Sequence, residues 1–267
     1  MPTPARSRSA SGRGTNVALC RSLLYQALSL GFRPPDEAAL RRLTDADAVA
    51  ALAEAAALID AERGTDLAPS LRRLPGAARA GDPPGASASY DKLFGHTAHG
   101  PVPAYETEYG KDTLFQRPQE LSDIAAFFRA FGLVLDPARH ERIDHVSCQL
   151  EFLAFLARKE AHALECRDEA MRRETVRAAR LFLRDHLGRF VPSFCRRAIR
   201  TDPNGFYGHL AALCLEFVGS EAASLAVPLG PEALRLQTPL DDGVPMACGG
   251  AEACAAGPCA AADEASR

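Results

Sequence analysis

The chain predicts an all-α fold, a compact helical bundle with no sheet, and three observations carry that expectation. Ala and Leu dominate the sequence while Ile and Val are scarce. No stretch alternates apolar with polar residues as a half-buried strand would. Apolar residues recur instead at spacings of three and four, between Gly and Pro stops. With 267 residues, 47% of them hydrophobic, the chain can bury one substantial core.

The elements follow in order. Residues 1–15 hold Arg6, Arg8 and Arg13 among Ser, Pro and Gly, a composition that buries little, and read as a disordered tail. A first helix is expected from Asn16, an N-cap residue type. It carries Leu19, Leu23, Leu24 and Leu28 and stops at Gly31 before Pro34 and Pro35. Asp45 or Asp47 caps a second helix through Leu52, Leu58 and Ile59 to Gly64. Leu67, Leu71 and Leu74 give a third that Pro75 and Gly76 end, and residues 75–86 read as a surface loop. After a short turn at Tyr90, Leu93 and Phe94, residues 95–118 lose helical period and collect His96, His99, Tyr105, Glu106, Glu108 and Tyr109.

Helix resumes at Gln119 with Leu121, Ile124, Phe128 and Phe131, closed by Gly132 in the C′ position. The best-defined helix carries Ile143, Val146, Leu150, Leu153 and Ala157 and is expected at the centre of the core. Further helices are expected over about residues 169–187, from near Pro192, and from Asp202-Pro203 to Gly219. Residues 16–225 therefore read as one helical domain. Residues 226–267, rich in Gly, Ala, Pro and acids, read as a flexible tail.

Acidic and basic residues nearly balance at 34 against 31. That removes the global field that draws a protein to nucleic acid or an anionic membrane, and favours a peptide or protein partner. No apolar run reaches 18 residues and no signal-peptide core follows the early arginines, so a cytoplasmic protein is expected. In that compartment Cys20, Cys148, Cys166, Cys195 and Cys214, single within helical patterns, are expected to be reduced. There is no phosphate loop, no G-x-S-x-G, no H-E-x-x-H and no recognisable nucleophile arrangement, so no enzyme and no cofactor are expected.

The strip Tyr105-Glu106-Thr107-Glu108-Tyr109 sets two carboxylates between two phenols in a connector. Such carboxylates can grip an arginine of an incoming peptide bidentately, with the rings adding apolar and cation–π contact. The other reading is an internal clasp, with the acids bonded inside the molecule and the rings packed inward. Asp144-His145 opens the long helix, as a cap and a surface histidine or with His145 sensing proton uptake or donating to a backbone carbonyl. Glu151 reads as a helix-surface carboxylate. Cys248, Cys254 and Cys259, at spacings of six and five, miss the usual zinc and iron–sulfur patterns. They leave a soft-metal or redox-cofactor carrier as the alternative function.

Taken together, Tyr90-Asp-Lys-Leu93-Phe94-Gly95, Pro103-Ala-Tyr105-Glu106-Thr-Glu-Tyr109, Phe131-Gly132-Leu133, Asp144-His145, Leu150-Glu151-Phe152 and Phe206-Tyr207 resemble the TorD/DmsD/NarJ family of redox-enzyme maturation chaperones over roughly residues 16–220. The resemblance implies a non-catalytic protein that binds the twin-arginine signal peptide of a molybdenum oxidoreductase catalytic subunit of the dimethyl-sulfoxide-reductase type. It would hold that apo-subunit until molybdopterin is inserted, as a monomer or a dimer. It also implies a peptide-binding surface comprising Leu93, Phe94, Tyr105, Glu106, Glu108, Tyr109, Gly132, Asp144 and His145.

Overall fold

A computed structural model describes residues 5–80, 83–95, 100–110, 116–136 and 142–237, and among them the fold is helical, with no strand. The helices are α1 (Ala5–Gly31), α2 (Glu37–Thr44), α3 (Ala46–Arg63), α4 (Ala68–Ala80), α5 (Pro83–Phe94), α6 (Gln116–Ala130), α7 (Val146–Cys166), α8 (Glu169–Phe182), α9 (Gly188–Thr201) and α10 (Phe206–Ser224). A 3₁₀ turn occupies Glu106–Glu108, and a π turn, Leu183–Leu187, joins α8 to α9.

Several boundaries differ from the sequence reading. The first helix begins at Ala5 rather than Asn16. α2 was not foreseen: Asp36 caps it by accepting from the Ala39 amide at 2.7 Å, but eight residues are too few for a clear periodicity. α4 and α5 extend into the stretch read as a loop, and Pro83 stands at the first position of α5, where its missing N–H costs nothing. Gly219 does not stop α10, since it is not itself left-handed and the helix continues to Ser224.

α7 is the central helix, as expected, with α1 packed along it and α8 beside it. Its Leu150, Phe152, Leu153 and Leu156 are almost wholly buried. The aromatic rings gather in two groups. Phe94 meets Tyr90 at 4.9 Å, Tyr207 at 5.2 Å and Phe194 at 6.0 Å between ring centroids. Phe152 meets Phe128 and Phe182 at 4.7 Å each. Each pair adds about 0.5–1.5 kcal/mol beyond the area it buries.

Between α1, α3, α7 and α10 lies a buried ionic network. Glu221, with no exposed surface, accepts from Arg21 Nε at 2.9 Å and Nη2 at 2.8 Å, from Tyr25 at 3.0 Å, and from Arg63. Arg21 also pairs with Glu160. Burial pushes the Glu221 pKa up, but the two guanidinium groups outweigh it and hold the carboxyl below its usual range.

The segment after α10 is not a tail at first. Val227 is buried, and the compact unit extends to Gln237, twelve residues past the expected end of the domain. The cause lies in α9. Pro192 has no N–H to give the Gly188 carbonyl four residues back, and the Gly230 amide takes that place at 2.9 Å. The strap then runs on: Leu234 N donates to Ser193 Oγ at 3.0 Å, and Arg196 pairs with Glu232 at 2.7 Å. Gly110 N donates to Arg235 O, and Gln237 N to Glu108 O, both at 2.9 Å. No described helix is long and apolar enough to cross a membrane.

Candidate functional site

The connector singled out in the sequence is a packed element, and most of its polar groups bond within the molecule. Glu106 N donates to Asp144 O at 3.0 Å and Val146 N to Ala104 O at 2.8 Å, a short antiparallel bridge that pins the connector to the start of α7. Tyr109, 1% exposed, donates its hydroxyl to Pro103 O at 2.8 Å.

The carboxylates lie beneath the surface. Glu106 has no exposed area, and it accepts from Gln149 Nε2, from Arg189 Nη2 at 2.7 Å, and lies 3.3 Å from His186 Nδ1. Asp144, equally buried, accepts from the Thr107 hydroxyl at 2.8 Å, the Thr107 amide at 3.2 Å, and Arg142 at 3.0 and 2.7 Å. Glu108 is flanked by Arg117 at 3.5 Å and Arg142 at 3.8 Å. Arg142 also lies 4.5 Å over the Tyr105 ring, a cation–π contact within the chain itself. For Arg142 and Arg189 burial opposes the charge, but Asp144 and Glu106 respectively outweigh it and raise both pKa values.

His145 is the N-cap of α7: its Nδ1 accepts from the Ser147 amide at 3.2 Å and lies 2.7 Å from the Ser147 hydroxyl. Desolvation by burial pulls its pKa down to about 4, despite the neighbouring Asp144, so it is neutral at pH 7. It is therefore a buried cap and not a surface histidine. Leu93 and Phe94 are core residues, 3% and 4% exposed. Gly132 ends α6 as expected: with φ +71, it donates to Arg129 O at 2.9 Å, and Leu133 donates to Phe128 O at 2.9 Å, the two bonds of a Schellman motif.

The residues of the expected docking surface lie mostly inside the fold. In this conformation Glu106, Glu108 and Asp144 already bind the chain's own arginines, and Leu93, Phe94 and Tyr109 face the interior. The internal clasp is the reading that their burial supports. Glu151 pairs with Arg33 on the surface. Cys20, Cys148, Cys166, Cys195 and Cys214 are free thiols, with Cys166 exposed. Cys248, Cys254 and Cys259, like His96 and His99, lie outside the described residues. Among the described residues no cluster of three His, Cys, Asp or Glu side chains is placed to hold a metal.

What the sequence reading missed lies beside the clasp. An open groove of about 540 Å³ runs between α6 and the π turn, lined by Glu120, Asp123, Ala126, Phe127, Ala130, Asp185, His186 and Arg189. Residues 120, 123, 127 and 130 recur at helical spacing on one face of α6, a signal present in the sequence but overshadowed by the buried stripe of Ile124 and Phe128. The groove is graded. Along α6 its carboxylates are Glu120 and Asp123 and its apolar surface Ala126, Phe127 and Ala130, while Asp185 on the other wall pairs with Arg184 at 2.6 Å. From residue 120 to 130 the helix rises about 15 Å. Beyond that end Val134 stands 85% exposed. At the acidic end Arg189 Nη1 meets Glu120 at 2.9 Å, which ties the groove wall to Glu106 beneath. The π turn, a feature frequent at functional sites, sets Asp185 and His186 along the opposite wall, with Arg189 just beyond it in α9.

Residues 44–196, more than half of the chain and including both the clasp and the groove, match the family described as nitrate reductase delta subunit. The chain belongs to that family. Among the curated proteins similar to it are a chaperone protein TorD from Vibrio cholerae, 32% identical over 89 residues, and a selenate reductase assembly chaperone protein from Thauera selenatis, 38% identical over 82 residues. The matched stretches cover 33% and 31% of this chain, and 39% and 42% of the two relatives. Family membership accords with the resemblance read from the ordered strings around Tyr90, Tyr105 and Asp144, and with the all-α fold.

Proposed function

We propose that this protein is a cytoplasmic assembly chaperone for a molybdenum oxidoreductase. It binds the twin-arginine signal peptide of the catalytic subunit and holds the apo-subunit while the molybdopterin cofactor is inserted. The names of its relatives support the chaperone role, and the family supports a client among such reductases. The observation that carries the peptide-binding step is the graded groove. A twin-arginine leader presents two guanidinium groups followed by an apolar stretch, and the groove presents carboxylates followed by an apolar floor, so charge and hydropathy are complementary in the same order. The peptide lies along α6 with its arginines near Glu120 and Asp123 and its apolar part toward Ala130.

In this reading the residues first assigned to direct contact form the frame. Glu106, Glu108, Asp144 and His145 hold Arg189, Arg142 and the start of α7 in place. Tyr105, Tyr109, Leu93 and Phe94 pack that frame, and Gly132 turns the chain past the apolar end of the groove.

The test is calorimetric titration with a synthetic peptide carrying two adjacent arginines followed by an apolar run. The Glu120→Gln/Asp123→Asn variant is expected to bind at least about tenfold more weakly than the wild type, given the coupling measured for close charge pairs. Equal affinity with unchanged helical content would remove the groove from the site. Affinity purification from the native host is expected to recover the catalytic subunit of such an oxidoreductase, and recovery only of unrelated proteins would oppose the reading.

A further inference from the structure

The acidic end of the groove already contains a guanidinium. Arg189, from the first turn of α9, reaches across to bridge two carboxylates, with Nη2 at 2.7 Å from Glu106 and Nη1 at 2.9 Å from Glu120. Its side chain is 30% exposed, so it stands between the interior and the groove. Its Nε is buried and makes no hydrogen bond, which means the group is held by its two terminal nitrogens alone.

Glu106 has hydrogen-bond partners besides Arg189. Gln149 occupies one carboxylate oxygen, and His186 lies 3.3 Å from the other. Were Arg189 to withdraw, Glu106 would keep polar partners, and Glu120 would turn to whatever filled the groove. Asp123 lines the same groove, as does Asp185, which pairs with Arg184 at 2.6 Å.

We propose that Arg189 is an internal stand-in for an arginine of the bound peptide. It occupies the Glu106–Glu120 seat in the unliganded protein and leaves that seat when a client guanidinium enters. This deepens the groove reading given above and rests on it. Binding is then an exchange of one guanidinium for another. The desolvation of the carboxylates, which makes new buried ion pairs costly, has already been met in the fold. The geometry of the seat predicts a selectivity. A planar fork can bridge two carboxylates, whereas a lysine ammonium is a single compact charge with stronger hydration, so a twin-lysine peptide is rejected. Because the internal group competes, affinity stays moderate, which suits a partner that must release its client.

The experiment uses the full chain, the same synthetic twin-arginine peptide, its twin-lysine counterpart, and four variants: Arg189→Gln, Arg189→Lys, Glu120→Gln and the Arg189→Gln/Glu120→Gln pair. Removing the competitor is expected to tighten twin-arginine binding about tenfold in Arg189→Gln, and Glu120→Gln is expected to cancel that gain in the double variant. The wild type is expected to bind the twin-lysine peptide about tenfold more weakly than the twin-arginine one. Arg189→Lys keeps the charge but cannot bridge both acids, so it gives an intermediate affinity and serves if Arg189→Gln does not fold. If a folded Arg189→Gln or Arg189→Lys binds no more tightly than a wild type that does bind, Arg189 is a structural strut and the stand-in role is overturned, while the groove reading stands. If neither wild type nor variants bind the peptide, the groove reading itself fails.

Discussion

At the residue scale the most informative groups are those that sequence alone placed on the surface and the fold placed inside. His145 was read as a helix-start residue and is one, but as a neutral cap with no access to water. Its pKa falls from about 6.5 in the unfolded chain to about 4 in the fold, so between those values the unfolded state binds the extra proton. Stability contributed by this group is therefore full above pH 6.5 and is lost as the pH falls toward 4. Relative to His145→Asn, which keeps a capping acceptor, the wild type is expected to lose roughly 3 kcal/mol over that interval, read from urea midpoints against pH. Parallel pH profiles for the two proteins would contradict it. Gly132 was legible as a helix stop because a Gly after an apolar stripe has a local meaning, and its φ of +71 confirms that role. A Cβ there meets nothing within 4 Å. Gly132→Ala should thus cost only the backbone strain, about 1 kcal/mol in denaturant unfolding. A loss several times larger would indicate a contact that the geometry lacks.

At the scale of elements, helices were legible wherever apolar residues recur at three and four, as in α1, α7 and α10. The strap after α10 was not. Gly and Pro in irregular sequence look like a tail, and the demand that the strap meets arises elsewhere in the chain, in the Gly188 carbonyl that Pro192 cannot satisfy. Nothing within residues 226–237 announces that need. A chain ending at Gln237 is expected to keep this packing, whereas one ending at Leu225 exposes the Val227 site and orphans the Gly188 carbonyl. The difference should be at least about 2.5 kcal/mol, from one apolar side chain at about 1.5–3 and one unsatisfied buried acceptor at about 1–3 kcal/mol. Paired denaturation curves of the two truncations measure it, and coincident curves would show the strap to be dispensable. Gly230→Ala offers a point test of the same contact, since its new Cβ would meet the Arg189 carbonyl oxygen at 2.0 Å. That substitution should lower the unfolding midpoint and disturb the start of α9.

At the scale of the whole molecule, charge is handled by long-range pairing that no local pattern reveals. Glu106 meets Arg189 across 83 residues, and Arg21 meets Glu221 across 200. A sequence reading can mark Glu106 as unusual in its connector, but its partner is chosen by the packing of α9 against that connector, and this is why the internal bonds of the expected docking residues were not legible. Glu221→Gln tests the deeper network, since it leaves two arginines buried beside a neutral amide. It should cost about 3–5 kcal/mol in chemical denaturation. A cost below about 1 kcal/mol, the range of exposed pairs, would mean that the network is effectively solvated. Beside the buried clasp, the groove along α6 brings acids and apolar residues together, and it is there that the client peptide is proposed to dock. Mapping backbone amide shifts by NMR while the twin-arginine peptide is titrated tests this most directly. The expected result is a set of changes concentrated on residues 120–134 and 183–189. Changes confined to other faces, with α6 and the π turn silent, would contradict it.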